Sequence, residues 1–168
     1  GFVEEVYILT KLSNVNTLKS NPAIKYYLDG VFKNWLQASI PQKVKIDFIA
    51  RQSGNLKAAD LIKAYFDQNK ISSKELGTYW EEGAWKSWRR ISISEHASLI
   101  KYYFDNGTSS NDIDQMKIWL LKHKQVQGWP SFQTTSDAIF ALMVTGSKKE
   151  ISMIKSLPSV LIDNQKSP

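Results

Sequence analysis

Residues 88–107 read WRRISISEHASLIKYYFDNG, and residues 129–146 read WPSFQTTSDAIFALMVTG. Each stretch runs from a tryptophan through a short polar segment into an apolar run that ends at glycine. In the first, SISE (Ser92–Glu95) has the spacing of a capping box, and Asn106-Gly107 is a stop signal. In the second, TTSD (Thr134–Asp137) reads as another capping box, with Gly146 as the stop. Trp88 and Ala97 are matched by Trp129 and Ala138, both pairs offset by 41 residues. Helix-pair repeats commonly recur at roughly 40 residues, so the two stretches predict successive helix pairs of one architecture.

Working outward, the same periodicity covers most of the chain. Phe2, Val6 and Leu9 share one face of a short helix over 2–12. Pro22, behind Ser20 and Asn21, has the place of a first helical residue, and the stripe Ile24, Tyr27, Leu28, Val31, Trp35 extends that helix to about Ala38. Pro41 opens the next helix, which stops at Gly54 in a left-handed cap, and another runs from Leu56 to Gln68. Asn111 and Asp112 start a helix that continues through Trp119 to about Lys124. An echo at a spacing of 38, IKYYLD (24–29), IKAYFD (62–67) and IKYYFD (100–105), places its third copy in the opposite layer from the first two. These elements predict an all-α fold, either a helix-pair solenoid or part of an α/α toroid. Val160, Leu161 and Ile162, behind Pro158, predict a short strand-like exit, so the helical body is set at 1–156 and a linker or the start of a β domain at 157–168.

Composition narrows the function classes. The chain has 168 residues, 42% hydrophobic and 23% charged, which is globular composition. Its net charge of +6 is dispersed, with 11 basic and 9 acidic residues in 1–84 and 11 and 7 in 85–168. No element concentrates the cations, which argues against nucleic-acid binding. No apolar run is long enough to span a bilayer and no signal-peptide pattern is present. With Gly1 in place of Met, the natural start is expected upstream. The absence of cysteine removes disulfides and thiolate chemistry from these residues.

Chemistry is most concentrated in ELGTYWEEGAWKSWRR (75–90), which holds three of the six tryptophans. Trp80, Trp85 and Trp88, with Arg89 and Arg90, are the candidate partner-binding residues, because flat rings and guanidinium groups enrich recognition surfaces. The competing reading, which recurrence at Trp129 favours, is that the rings plug a rim where helix pairs diverge. Glu81 and Glu82 are neighbours, whereas a hydrolytic carboxylate pair faces across a substrate at roughly 5–10 Å. Glu95 and Asp137 are assigned to helix caps. His96 and His123 stand on different helices without metal-ligand spacing, and Lys122, His123 and Lys124 complement a helix C-terminus. No catalytic residue, metal site or cofactor is assigned.

Three segments, LGTYW (76–80), IDQMKIWLLKHKQVQGW (113–129) and TTSDAIFALMVTG (134–146), resemble in order and spacing the end of the helical thioester-type domain of bacterial alpha-2-macroglobulin-like proteins, especially those of Bacteroidetes. The resemblance is good over 75–146 and looser over 22–74. It implies an α/α toroid that returns into a β-sandwich, here through SVLID, within a larger periplasmic, outer-membrane-associated or secreted protein. The family's Cys-x-Glu-Gln thioester motif is absent from this chain, so no catalytic residue carries over. KQVQGW (124–129) also resembles the QxxxGxW motif of triterpene cyclases, another toroid family. The spacing is shorter, however, and the acidic DDxxD or DxDD cluster is missing. The resemblance thus implies a non-catalytic part of a peptidase-trapping protein, whose partners are the parent's other domains and, through it, peptidases. Self-association through an open toroid face is a further expectation. The alternative is a carbohydrate-binding or carbohydrate-active toroid that uses the tryptophan loop as its subsite.

Overall fold

A computed structural model describes residues 1–82, 89–124 and 128–146. It is all-α apart from one small sheet: α1 (Phe2–Leu12), α2 (Val15–Ser20), α3 (Pro22–Lys33), α4 (Ile40–Ser53), α5 (Leu56–Gln68), α6 (Ile93–Asp105), α7 (Ser110–Lys122) and α8 (Phe132–Thr145). A single 3₁₀ turn, Trp35–Gln37, separates α3 from α4. The strands are β1 (Lys70–Ser73), β2 (Gly77–Glu82) and β3 (Arg89–Arg90), antiparallel in the order β1-β2-β3.

Local chemistry sets most helix ends. Asn21 accepts from the amides of Ala23 and Ile24, with Pro22 behind it in the first helical position. Ser39 and Gln42 form a reciprocal box at α4, whose end is closed by Gly54 at φ 82°. Ser92 and Glu95 form the box expected at α6, with 2.7 Å and 3.2 Å bonds. At α8 the box is displaced: Ser131 is the cap and Thr134 its third residue, so the helix begins at Phe132. Asp137, expected to cap, instead accepts from Gln133 one turn back.

Packing follows a helix-pair pattern. α1 lies against α4, α4 against α6 and α6 against α8, forming a continuous row. Flanking helices join it in turn: α3 on α1 and α4, α5 on α4, and α7 on α6 and α8. Ala97 and Ala138, the small pair at matched spacing, are both buried in the common core. β2 packs on α7. The sheet thereby occupies ground expected to be loop. Gly77 makes this possible: it sits at φ 72°, and a Cβ there would stand 2.1 Å from the Gln115 carbonyl oxygen.

Three expectations about element limits change. α3 stops at Lys33 because the chain turns at Asn34, which is neither helical nor extended, and Trp35 enters the 3₁₀ turn. α2 had no sequence signal; Asn14 creates it by accepting from the Thr17 amide and hydroxyl. Residues 75–90, read as loop, contribute β2 and β3, with Glu81 opposite Arg90 and Glu82 opposite Arg89. The boundary at 156/157 and the strand-like run at 160–162 lie outside the described residues.

Candidate functional site

The aromatic stretch resolves into a packing element at its first tryptophan. Trp80 is only 2% exposed and its indole N–H donates to the Phe66 carbonyl of α5 at 2.8 Å. Phe66 lies in the last turn of that helix, whose carbonyls have no partner within it. The ring stacks on Tyr103 (5.5 Å between centroids) and tilts against His96 (5.8 Å). Trp80 therefore presents no face to a partner, which corrects the expectation that it lines a cleft. Trp85 and Trp88 lie outside the described residues, while Arg89 and Arg90 are placed as strand β3.

Trp129 repeats this device. Its indole N–H donates to the Leu120 carbonyl at 3.1 Å, in the last turn of α7, and the residue is 8% exposed. Trp80 thus shares a helix-end role with Trp129; Trp88, which the 41-residue spacing pairs with Trp129, lies outside the described residues. Side-chain caps recur as well: Asn69, Asn106 and His123 each donate to the carbonyl four residues back, at 2.7, 2.8 and 2.8 Å. For His123 that geometry requires the proton on Nδ1.

His96 is fully buried at the centre of these rings. Its Nε2 lies 2.8 Å from the Met116 carbonyl, so Nε2 carries the proton, and Nδ1 has no hydrogen-bond partner. Trp119, 4.3 Å away between ring centroids, has its own indole nitrogen unpartnered and stacks on His123 at 4.0 Å. Burial, only partly opposed by the bond to Met116, lowers the His96 pKa to about 4. A neutral imidazole with no solvent access is a core group, and it is not placed to act as a general base. From His123 through Trp119, His96, Trp80, Tyr103, Tyr102, Phe66 and Tyr65 to Trp35, adjacent rings lie within 6 Å, giving one aromatic spine.

A concavity lies elsewhere among the described residues, along the row α1–α4–α6. A groove of about 500 Å³ has Tyr7, Val44 and Phe48 on its apolar side and Lys45, Arg51 and Lys101 among its polar groups. Tyr7 and Phe48 meet edge to face at 5.2 Å. Below them Asp47, 2% exposed, accepts two bonds from Arg51 (2.7 and 3.2 Å) and one from the Tyr102 hydroxyl (3.3 Å). Burial raises the Asp47 pKa against the pull of Arg51, and raises that of Tyr102 as well. The hydrogen bond to Asp47 raises the Arg51 pKa.

Sequence reading did not single out these groups. The available signal was Asp47-x-x-x-Arg51, an ion pair at helical spacing within the otherwise apolar IDFIAR. Among the described residues no cluster of three histidine or carboxylate side chains is arranged to hold a metal, and no helix is long and apolar enough to cross a membrane. Glu81 stands opposite Arg90 in the β2–β3 register, and Glu95 accepts from the Ser92 amide in its cap. No protein-family model and no curated protein matches the chain.

Proposed function

We propose that the chain is a non-catalytic module of an alpha-2-macroglobulin-like protein of the bacterial envelope, one that traps or inhibits peptidases. The observation that carries this reading is the meeting of the three segments bearing the family resemblance. LGTYW supplies most of β2, IDQMKIWLLKHKQVQGW supplies most of α7, and TTSDAIFALMVTG supplies most of α8; β2 and α8 both pack on α7. Residues that resemble one domain's end in order thus also share one core. The reading is supported further by how the distinctive polar groups are used: His96, Trp80, Trp129 and His123 all serve packing or helix ends.

In this reading the module is a rigid helical block whose outer surfaces are covered or exposed as neighbouring domains of the parent rearrange after cleavage. Its rigidity comes from the row of mutually buried helices and the aromatic spine, both of which resist local opening. The decisive experiment uses the full-length parent: limited proteolysis with a test peptidase, then size exclusion and a residual-activity assay on a large substrate. Co-elution of peptidase with the parent and loss of activity on large substrates are expected. A parent that is cleaved yet neither retains nor inhibits any of a panel of peptidases ends the proposal. The carbohydrate alternative has lost one of its three rings to the core, since Trp80 is buried.

A further inference from the structure

We propose that the groove along α1, α4 and α6 is a binding site for ligands with an apolar body and a terminal carboxylate. The inference is independent of the peptidase-trap reading, and rests on how charge is distributed in the groove by depth.

At the bottom, Asp47 is spent. Its side chain is 3% exposed, and both oxygens are engaged by Arg51 and Tyr102. It contributes no accessible negative charge. Arg51 differs: its side chain is 35% exposed, and a guanidinium has five N–H groups, of which two go to Asp47. The Asp47 carboxylate holds the fork in place, a further bond goes to Tyr102, and the remaining N–H groups belong to a side chain that lines the groove. This is the preorganised geometry that suits a carboxylate, which accepts paired N–H donors.

Around the rim the cations continue. Lys45 and Lys101 line the groove, with side chains 31% and 42% exposed. Lys45 bonds Glu4, which stands outside the lining, and Lys101 bonds Asp105, a 51% exposed carboxylate that also lines the groove. Both lysines are thereby steadied by carboxylates that water can reach and that an incoming anion can displace at small cost, since solvent-accessible ion pairs contribute little. Lys11 and Lys45 also stand 4.8 and 5.6 Å from the Tyr7 ring centroid, adding positive potential over the apolar wall.

The apolar side decides against a bare inorganic anion. Tyr7, Val44 and Phe48 give a wall that an aliphatic or aromatic group can cover. The volume of about 500 Å³ falls in the range of roughly 300–1,000 Å³ usual for organic ligands. Two sources share this chemistry: a free organic acid, and the C-terminal residue of a peptide with an apolar side chain.

The test titrates the whole chain with dansyl-phenylalanine, followed by fluorescence, against the same compound as its amide. An acetylated Leu-Phe peptide and its amide form the second arm, read by competition. Binding of the acids about tenfold tighter than the amides is expected, since a charge-assisted pair is lost. Lys101→Glu, at an exposed position, should weaken the acid at least fivefold and leave the amide unchanged, with the fold checked by circular dichroism. Because Arg51→Gln alone strands a buried carboxylate, the double variant Asp47→Asn/Arg51→Gln supplies the second check and should abolish the acid preference. Tighter binding of the peptide than of the free acid identifies chain termini as the source; the reverse identifies small acids. Equal affinity for acid and amide, or a Lys101→Glu variant that binds the acid like the parent chain, overturns the proposal. Absence of saturable binding by all four probes at millimolar concentration overturns it too.

Discussion

Trp80 and Trp129 do the same work in different settings. Each sends its indole N–H to a carbonyl in the last turn of a preceding helix, Phe66 of α5 and Leu120 of α7. Trp80 arrives on a strand of a hairpin, is wedged between Tyr103 and His96, and is almost wholly buried. Trp129 lies just ahead of α8, with its own amide and carbonyl held by the Thr135 hydroxyl in that helix's first turn. The comparison teaches that the repeated element is the capped helix end, while the route taken by the capping chain is free to vary. Both routes also rely on glycine at the point of closest approach. Gly77 comes up against Gln115 backbone, and Gly128, at φ 144°, against the Thr135 side chain.

The comparison breaks most visibly if the rings are removed. Trp80→Ala should cost about 3–5 kcal/mol, the usual range for a buried tryptophan, and more than Trp129→Ala, whose ring has fewer aromatic neighbours. Urea unfolding of both variants checks the order; equal losses would deny Trp80 its deeper role. Trp80→Phe removes the bond to Phe66 together with part of the ring, and should cost about 1–3 kcal/mol, less than the alanine variant.

Acid tests the region between the two tryptophans. His96 has a folded pKa of about 4 against an ordinary value of 6.5. Below pH 6.5 the unfolded chain takes up a proton that the folded chain refuses. Stability is therefore full above that pH, falls as pH drops towards 4, and levels off below it, a loss of about 3 kcal/mol. Unfolding midpoints measured across pH 4–7 should show this slope, and His96→Gln should flatten it.

The glycines sharpen the comparison further. Gly77→Ala meets backbone at 2.1 Å with φ positive, so one of the two chains must move; a loss of about 2–3 kcal/mol is expected from strain at such a site. Gly128→Ala meets only the Thr135 side chain, its hydroxyl at 3.0 Å and its methyl at 3.3 Å, though also at positive φ, and should lose about 1 kcal/mol. Thermal melts of the pair would reveal the ranking, and a reversed order would mean that the turn is the more rigid of the two. The smallest effect belongs to the side-chain caps. Asn69→Ala and Asn106→Ala should each cost about 1 kcal/mol, as single hydrogen bonds at helix ends do.

Legibility in the sequence followed the range of the interactions involved. The Ser92–Glu95 box, Pro22 behind Asn21 and the Gly54 stop were readable because each depends on residues within a few positions. The Ser131 cap was misplaced by three residues because TTSD offers a second hydroxyl–acid pattern inside the same turn. β1, with the sequence KISS, has little strand signal of its own; its register opposite β2 relies on β2 being held against α7. The groove shared this difficulty: Asp47 and Arg51 are one helical turn apart, but Tyr102, which completes the cluster, lies 55 residues from Asp47.

By itself, then, the sequence determined the number and spacing of most helices, their caps, and the all-α class, since helical periodicity and capping are local and additive. It also marked 75–90 as exceptional. Only the tertiary structure decided what that stretch is for at Trp80. A buried ring, a carbonyl left unpaired by a helix 14 residues earlier, and a glycine able to approach α7 are properties of the assembled core. Spacing alone gives Trp80 no role. The helix end that needs a donor is met by its indole N–H, because an unpaired carbonyl inside a packed core is costly.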